Sequence, residues 1–84
     1  HYALASALER AGHLNSAIEN FEQVVSNKQN YPHIQANAWF RLARLTSDQQ
    51  RKKFLRNCLL LASDHVAAKK LLAETENTKH QMLS

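Results

Sequence analysis

Cysteine, glycine and proline each occur once in the 84 residues of this chain, and these scarcities exclude several classes of protein. The single cysteine, Cys58, cannot form an internal disulfide, so the sequence favours a reducing, intracellular and cytoplasmic setting. The single glycine excludes a glycine-rich loop that could cradle a phosphate group. No apolar run approaches the roughly 20 residues that span a bilayer, and no signal peptide is visible, so no membrane association is expected.

Residues that could carry catalysis or bind a metal ion do not occur in the required patterns. The five histidines, at positions 1, 13, 33, 65 and 80, never share a ligand spacing with another histidine, a cysteine or an acid. Cys58 lies on an apolar stripe, so we expect a small core residue and not a nucleophile. The sequence therefore predicts no metal site, no cofactor and no enzymatic activity.

The composition that remains is typical of a small helical domain. Apolar residues make up 44% of the chain and charged residues 21%, which is a globular balance. Eighty-four residues are enough for one domain. The chain opens at His1, without a methionine and already inside a periodic pattern, so we expect a piece of a longer protein.

Five apolar stripes with the spacing of amphipathic helices follow one another along the chain. The residues expected to end or begin these helices have known preferences for helix termini. They are Gly12 at the end of the first helix, Asn15 as cap of the second, Pro32 in the first turn of the third, the capping-box pair Ser47 and Gln50 before the fourth, and Ser63 or Asp64 as cap of the fifth.

The stripes predict an all-α fold of five antiparallel helices joined by short loops. We expect hairpins over about 1–28 and 32–62, a capping helix from about 64, and a polar helix extension or tail over 76–84, so that the helical domain covers 1–75. Packing is expected to centre on Trp39. Its expected neighbours are Leu8, Phe21, Val25 and Leu42.

Several apolar residues also recur at longer intervals. Leu-Ala pairs begin at Leu4, Leu42 and Leu72, which are 38 and then 30 residues apart, close on average to a period of about 34. Ala17 and Phe21 follow the first pair as an A-x3-F motif. In these features the chain resembles the tetratricopeptide repeat family, whose pattern is W-x2-L-G-x2-Y, then A-x3-F, then P. The resemblance implies two repeats and a capping helix, stacked as an α-α superhelix.

The second hairpin departs from the family pattern in two places. The connector before Pro32 is three residues longer than the pattern, and the turn between the third and fourth helices is about four residues shorter. Arg51 and Leu55 stand where the family has its A-x3-F pair. We therefore expect the two helices of this hairpin to cross at an unusual angle.

In this family the first helix of each hairpin lines a concave groove that holds a peptide or a partner helix. The resemblance thus implies a non-catalytic scaffold for protein–protein interaction, with an acidic peptide as one option for the partner. The implied groove residues are Tyr2, Ser6, Glu9, Arg10, Asn37, Phe40, Arg41, Arg44, Lys70, Glu74 and Thr78. Alternatively, Tyr2 and Phe40 pack against neighbouring repeats, and exposed repeat ends would also permit self-association.

Positive charge is concentrated in the second hairpin. Positions 41–56 hold six basic residues and one acid, which gives +5, whereas the rest of the chain sums to −1. A patch of Arg51, Lys52, Lys53 and Arg56 would suit nucleic acid, and these two helices also resemble a helix-turn-helix. A nucleic-acid-binding module is therefore the alternative function. The other interpretation of the same residues is an ordinary solvated helix face.

Overall fold

The computed structural model describes residues 2–83, with side chains described for residues 2–76, and contains five α-helices. They are α1 (Tyr2–Arg10), α2 (Leu14–Ser26), α3 (Pro32–Arg44), α4 (Asp48–Leu61) and α5 (Val66–Leu83). No strand occurs among the described residues, so the expected all-α class with five helices is confirmed. Over the same residues, no helix is both long and apolar enough to cross a membrane.

Each helix packs mainly against its neighbours in the chain, and together they form a slab of 41 × 28 × 17 Å. A helix with its side chains is about 10 Å across, so the thinnest dimension corresponds to about two layers of helices. The slab is therefore long, flat and built from successive hairpins.

The turn between α1 and α2 closes the first helix through backbone hydrogen bonds. Gly12 has φ +88°, the left-handed conformation expected for it. Its N–H donates to the Glu9 carbonyl at 3.1 Å, and the His13 N–H donates to the Leu8 carbonyl at 2.9 Å, the pair of bonds that defines a Schellman motif. Because this closure returns the chain at once, α2 begins at Leu14. The expected cap at Asn15 is wrong, since Asn15 lies inside the first turn.

The connector between α2 and α3 is held by amide side chains. The Asn30 Nδ2 donates to the Val24 carbonyl at 3.0 Å, and the Gln35 Nε2 donates to the Asn27 carbonyl at 2.7 Å. These bonds tie the connector to the C-terminal end of α2, at carbonyl groups that also accept the backbone N–H groups of Asn27 and Asn30. Pro32 occupies the first turn of α3, as expected, where its missing N–H costs nothing.

The remaining two turns show one expected cap and one correction. Ser47 precedes α4, but it makes no side-chain capping bond, so the reciprocal bonds of a capping box with Gln50 are not formed. The cap of α5 is not Ser63 or Asp64. It is His65, whose Nδ1 accepts a hydrogen bond from the Ala68 N–H at 3.1 Å, and α5 begins at Val66.

Corresponding boundaries of the two hairpins lie at a constant offset. α1 ends at Arg10 and α3 at Arg44, and α2 begins at Leu14 and α4 at Asp48, so each pair is 34 residues apart. Both turns therefore contain three residues. The expected shortening of the second turn is wrong. The turn seemed shorter because the Leu-Ala pairs align α1 with α3 four residues, about one helical turn, away from the alignment that the helix ends give.

The environments of the Leu-Ala pairs agree with that correction. In the first pair Ala5 is fully buried while Leu4 is 54% exposed, whereas Leu42 and Ala43 are both buried. In the third pair Ala73 is exposed. With the 34-residue offset, Ala5 corresponds to Trp39 and not to Ala43, so the three pairs do not occupy equivalent positions.

The core consists of two clusters of buried side chains. One joins α1, α2 and α3, and its buried members are Ala5, Ala17, Phe21, Val24, Ala38 and Leu42. The other joins α3, α4 and α5 through Ala36, Ala43, Leu55, Cys58 and Ala68. Six of these eleven residues are alanines, which allow the helices to approach one another closely.

Trp39 connects the two clusters. It packs against both of them together with Phe54, and the two ring centroids are 5.2 Å apart. Its expected neighbours Leu8, Phe21, Val25 and Leu42 all belong to the first cluster. Trp39 itself is only partly buried, so it lies at the junction of the clusters and not at the centre of a single core.

Candidate functional site

An open groove lies between α3 and α5. Its walls are formed by Phe40, Arg44, Ala67, Lys70, Leu71 and Glu74. Four of these residues, Phe40, Arg44, Lys70 and Glu74, belong to the groove that the repeat resemblance implies. The volume of about 290 Å³ is at the lower edge of small-molecule pockets, and it suits one or two side chains of a partner.

Phe40 supplies the aromatic surface of the groove. It is half-buried, with the centroid of its ring 5.2 Å from that of His65. The Arg44 guanidinium carbon lies 5.9 Å from the centre of the Phe40 ring, one helical turn further along α3. An aromatic ring flanked by a guanidinium group provides both apolar contact and positive charge, a combination that is frequent at binding hot spots.

His65 fixes the position of Phe40 by joining α5 to α3. Its Nδ1 accepts from the Ala68 N–H, so that nitrogen carries no proton, and its Nε2 donates to the Asn37 Oδ1 at 2.9 Å. Both ring nitrogens are therefore occupied. Asn37, a predicted groove residue, uses its side-chain oxygen for this internal bond and supports the groove without lining it.

The groove carries more positive than negative charge. Arg44, Lys70 and Glu74 are all exposed, and among the described residues neither cation has a carboxylate within 4 Å. Two unpaired cations beside an apolar surface favour a partner whose apolar side chain is accompanied by acidic groups. Leu71 and Ala67 complete the apolar surface. They were absent from the sequence-based set, although their spacing from Lys70 and Glu74 places all four on one helix face.

Four of the predicted groove residues lie elsewhere or make internal contacts. Tyr2 is half-buried, and its ring packs edge-on against Phe21 at 5.7 Å between centroids. The Arg41 Nε donates to the Glu9 Oε1 at 2.9 Å, and this ion pair is largely buried. Arg10 is exposed at the end of α1 and is not among the residues that line the groove. Tyr2 thus joins α1 to α2, and Arg41 joins α3 to α1.

Two further residues of the implied groove need separate mention. Ser6 is half-buried on α1, and its Oγ is buried with no hydrogen-bond partner among the described residues. Thr78 lies outside the residues whose side chains are described. Ser6 is not among the residues that line the groove between α3 and α5.

The predicted basic patch is divided by the structure. The Arg51 guanidinium donates to the Ala43 carbonyl at 3.0 Å and to the Thr46 carbonyl at 3.2 Å, and it lies 3.4 Å from the Asp48 carboxylate. Arg51 therefore donates to carbonyl groups at and just after the end of α3. Its guanidinium is occupied by these internal contacts.

Lys53 and Arg56 differ from Arg51, because both are exposed and neither makes an ion pair among the described residues. Lys52 is half-buried. The part of the predicted patch that is available to a partner is therefore the face of α4 formed by Lys53 and Arg56, with Lys52 at its edge.

Cys58 lies in the core, as expected, with none of its surface exposed. Burial raises the pKa of its thiol from 9.0 to about 11, because the charged thiolate would lose its hydration. The thiol is thus protonated at neutral pH and a poor nucleophile. Within the part of the chain that the structure describes, no three histidine, cysteine or acidic side chains come together as metal ligands.

No protein-family model matches this chain, and neither the curated proteins nor the solved structures give a significant match. The groove and the charged face of α4 must therefore be interpreted from their own chemistry.

Proposed function

We propose that this chain is a non-catalytic protein-interaction module, in which stacked helical hairpins of the tetratricopeptide type hold a peptide or partner helix in the groove between α3 and α5. The groove supports this proposal, because it gathers a half-buried aromatic ring and two cations that form no ion pair among the described residues. Phe40 is the expected anchor point, and Arg44 and Lys70 are the expected contacts for acidic groups.

The repeat architecture is supported by the second helices of the two hairpins. Ala17, Phe21 and Val24 in α2 correspond, 34 residues later, to Arg51, Leu55 and Cys58 in α4. The last two residues of each set are buried. An offset of about 34 residues is the period of tetratricopeptide repeats. Trp39, at the position equivalent to Ala5, is a bulky residue where the family prefers a small one, and it departs from the family pattern.

The groove favours a partner segment with one apolar side chain between acidic residues. The apolar side chain would rest on Phe40 and Leu71, and its acidic neighbours would face Arg44 and Lys70. Glu74 lies on the same wall and would repel an acidic group placed beside it, so it restricts the register in which such a segment binds.

Fluorescence anisotropy with short labelled peptides tests this function. The peptides carry a single leucine or phenylalanine between aspartate and glutamate residues, and a control set has lysine in place of the acids. We expect binding of the acidic peptides only. The double substitution R44E/K70E should weaken binding by at least about tenfold, because it replaces attraction by repulsion on both sides of the anchor.

The matched control is K53E/R56E, which also exchanges one arginine and one lysine for glutamate but does so outside the groove. It should bind the acidic peptides nearly as well as the unsubstituted protein. Equal weakening by the two double variants would show that net charge, and not the groove, determines binding. Absence of binding to every acidic peptide would contradict the proposed partner chemistry.

A further inference from the structure

The exposed faces of α2 and α4 occupy corresponding positions with opposite charge. Each face has four exposed residues at i, i+4, i+7 and i+11, which lie on one side of a helix and span about 16 Å. On α2 these are Asn15, Glu19, Glu22 and Ser26, which we call the acidic stripe. On α4 they are Gln49, Lys53, Arg56 and Leu60, which we call the basic stripe.

Neither stripe is neutralised by the side chains that the structure describes, residues 2–76. α2 contains no lysine or arginine, and the acid of α4, Asp48, lies beside Arg51. Among the described residues, no ion pair involves Glu19, Glu22, Lys53 or Arg56. A shallow depression on α2 is lined by Glu19, Glu22, Gln23 and Ser26, so the acidic stripe is also concave in part.

We propose that a second copy of this chain covers the basic stripe with its acidic stripe. The two charges of each stripe are three residues apart on a regular helix, which separates them by about 4.5 Å along the axis in both cases. When the stripes face each other, Glu19 and Glu22 can therefore meet Arg56 and Lys53 at the same time. This surface shares no residue with the groove between α3 and α5.

Ionic strength should control this association. Exposed ion pairs contribute little each, so the contact is weak and becomes visible at high protein concentration. The Debye length falls from about 30 Å at 0.01 M salt to about 3 Å at 1 M salt, so the contact should be lost as salt is added. Association through exposed apolar side chains such as Leu60 would instead persist at high salt.

Sedimentation equilibrium of the whole chain, from about 10 μM to about 1 mM protein, tests the proposal. At low salt we expect the weight-average mass to rise with concentration, and at about 1 M salt we expect a monomer. E19K/E22R and K53E/R56E should each weaken self-association about tenfold, because each variant leaves two stripes of the same sign. Circular dichroism should show that all variants keep their helices.

Two mixing and swapping experiments make the test specific. An equimolar mixture of E19K/E22R and K53E/R56E should associate, since one protein has two basic stripes and the other has two acidic ones. The fourfold variant E19K/E22R/K53E/R56E exchanges the stripes and keeps the net charge of +4, and it should regain the self-association of the unsubstituted protein. R44E/K70E should leave self-association unchanged.

Several results would overturn the proposal. K53E/R56E lowers the net charge from +4 to zero, so stronger self-association of that variant would indicate general charge reduction and not stripe pairing. A monomer at low salt over the whole concentration range would also contradict it. If that monomer binds duplex DNA and K53E/R56E abolishes the binding, the basic stripe is a nucleic-acid site and the second copy is the wrong occupant.

Discussion

The helices α2 and α4 have corresponding positions with the same spacing, and they agree at one kind of position and differ at two others. Phe21 and Val24 of α2 and Leu55 and Cys58 of α4 are buried apolar side chains in the core. At the position preceding each pair by a helical turn, buried Ala17 corresponds to Arg51, whose guanidinium closes the end of α3. On the outside, glutamates correspond to a lysine and an arginine. The buried pairs preserve the packing, and the other positions distinguish the two hairpins.

The ends of the two first helices illustrate this difference. α1 is closed by the backbone of Gly12 and His13, whereas at the end of α3 the backbone bond from Leu45 to Leu42 is supplemented by the side chain of Arg51. Thr46, the residue 34 positions after Gly12, does not have a positive φ. The first hairpin thus relies on a glycine conformation at this turn and the second on an arginine side chain in addition to its backbone bond. Substitutions at these positions measure how far the two hairpins are equivalent.

The largest expected effects concern the buried aromatic and aliphatic pair. Phe21→Ala should lower the free energy of unfolding by about 3–5 kcal/mol and Leu55→Ala by about 2–5 kcal/mol, because both side chains are fully buried and leave cavities. Urea denaturation followed by circular dichroism measures both. A loss below about 1 kcal/mol at either position would show that its cluster collapses around the cavity and that the two cores are not equivalent.

Arg51→Ala should cost about 1–2 kcal/mol, because it removes the donors for the Ala43 and Thr46 carbonyls. The matched control is Lys52→Ala, which removes a neighbouring cation that makes no ion pair among the described residues and should change stability by less than about 0.5 kcal/mol. Equal effects of the two substitutions in thermal unfolding would mean that Arg51 stabilises α3 no more than a surface charge does.

Gly12→Ala should cost about 1 kcal/mol, because an L side chain is disfavoured at φ +88° even though nothing lies within 4 Å of the added Cβ. Thr46→Ala, at the corresponding position of the second hairpin, should cost less, since its backbone needs no left-handed conformation. Thermal melts of the two variants compare the turns directly. A more damaging effect of Thr46→Ala would reverse the assignment of the two closures.

Cys58→Val should cost about 1 kcal/mol near neutral pH, because valine keeps the site apolar and adds little volume to a fully buried position. At alkaline pH the two proteins should diverge. The unfolded thiol ionises near its pKa of 9.0, whereas burial raises the folded pKa to about 11, so unfolding releases a proton between these values. The free energy of unfolding should therefore fall more steeply above pH 9 for the cysteine protein than for the valine variant.

Local signals in the sequence predicted the helices well because their effect depends on few neighbours. Gly12 and Pro32 act through their own backbone geometry, and both lie where they were expected. The predicted caps at Asn15 and at Ser63 or Asp64 are wrong. The Schellman bonds at Gly12 and His13 set the start of α2, and the His65 imidazole accepts the N–H that a cap of α5 would accept. Neighbouring side chains compete to cap the same helix end, and the sequence alone does not show which of them lies within hydrogen-bond distance of it.

The sequence pattern also could not determine how the first helices of the two hairpins align with each other. A displacement of four residues keeps every side chain on nearly the same face of a helix, so Ala43 and Trp39 were equally good matches for Ala5 by periodicity. Helix phase still placed Phe40, Arg44, Lys70 and Glu74 on one groove. The side chains of Asn37 and Arg41 instead form internal bonds with His65 and Glu9, which are 28 and 32 positions away in the sequence. Periodicity within one helix does not reveal such distant partners.

The junction formed by Trp39 and Phe54 has a consequence for how the molecule comes apart. Their two rings lie between one cluster that depends on α1 and α2 and another that depends on α4 and α5. Since Trp39 is the only tryptophan, its fluorescence emission reports on the junction between the two clusters. If the amides of α5 exchange with solvent under conditions in which the tryptophan emission is unchanged, α5 unfolds before the junction does. The protein would then unfold stepwise from its C-terminal helix.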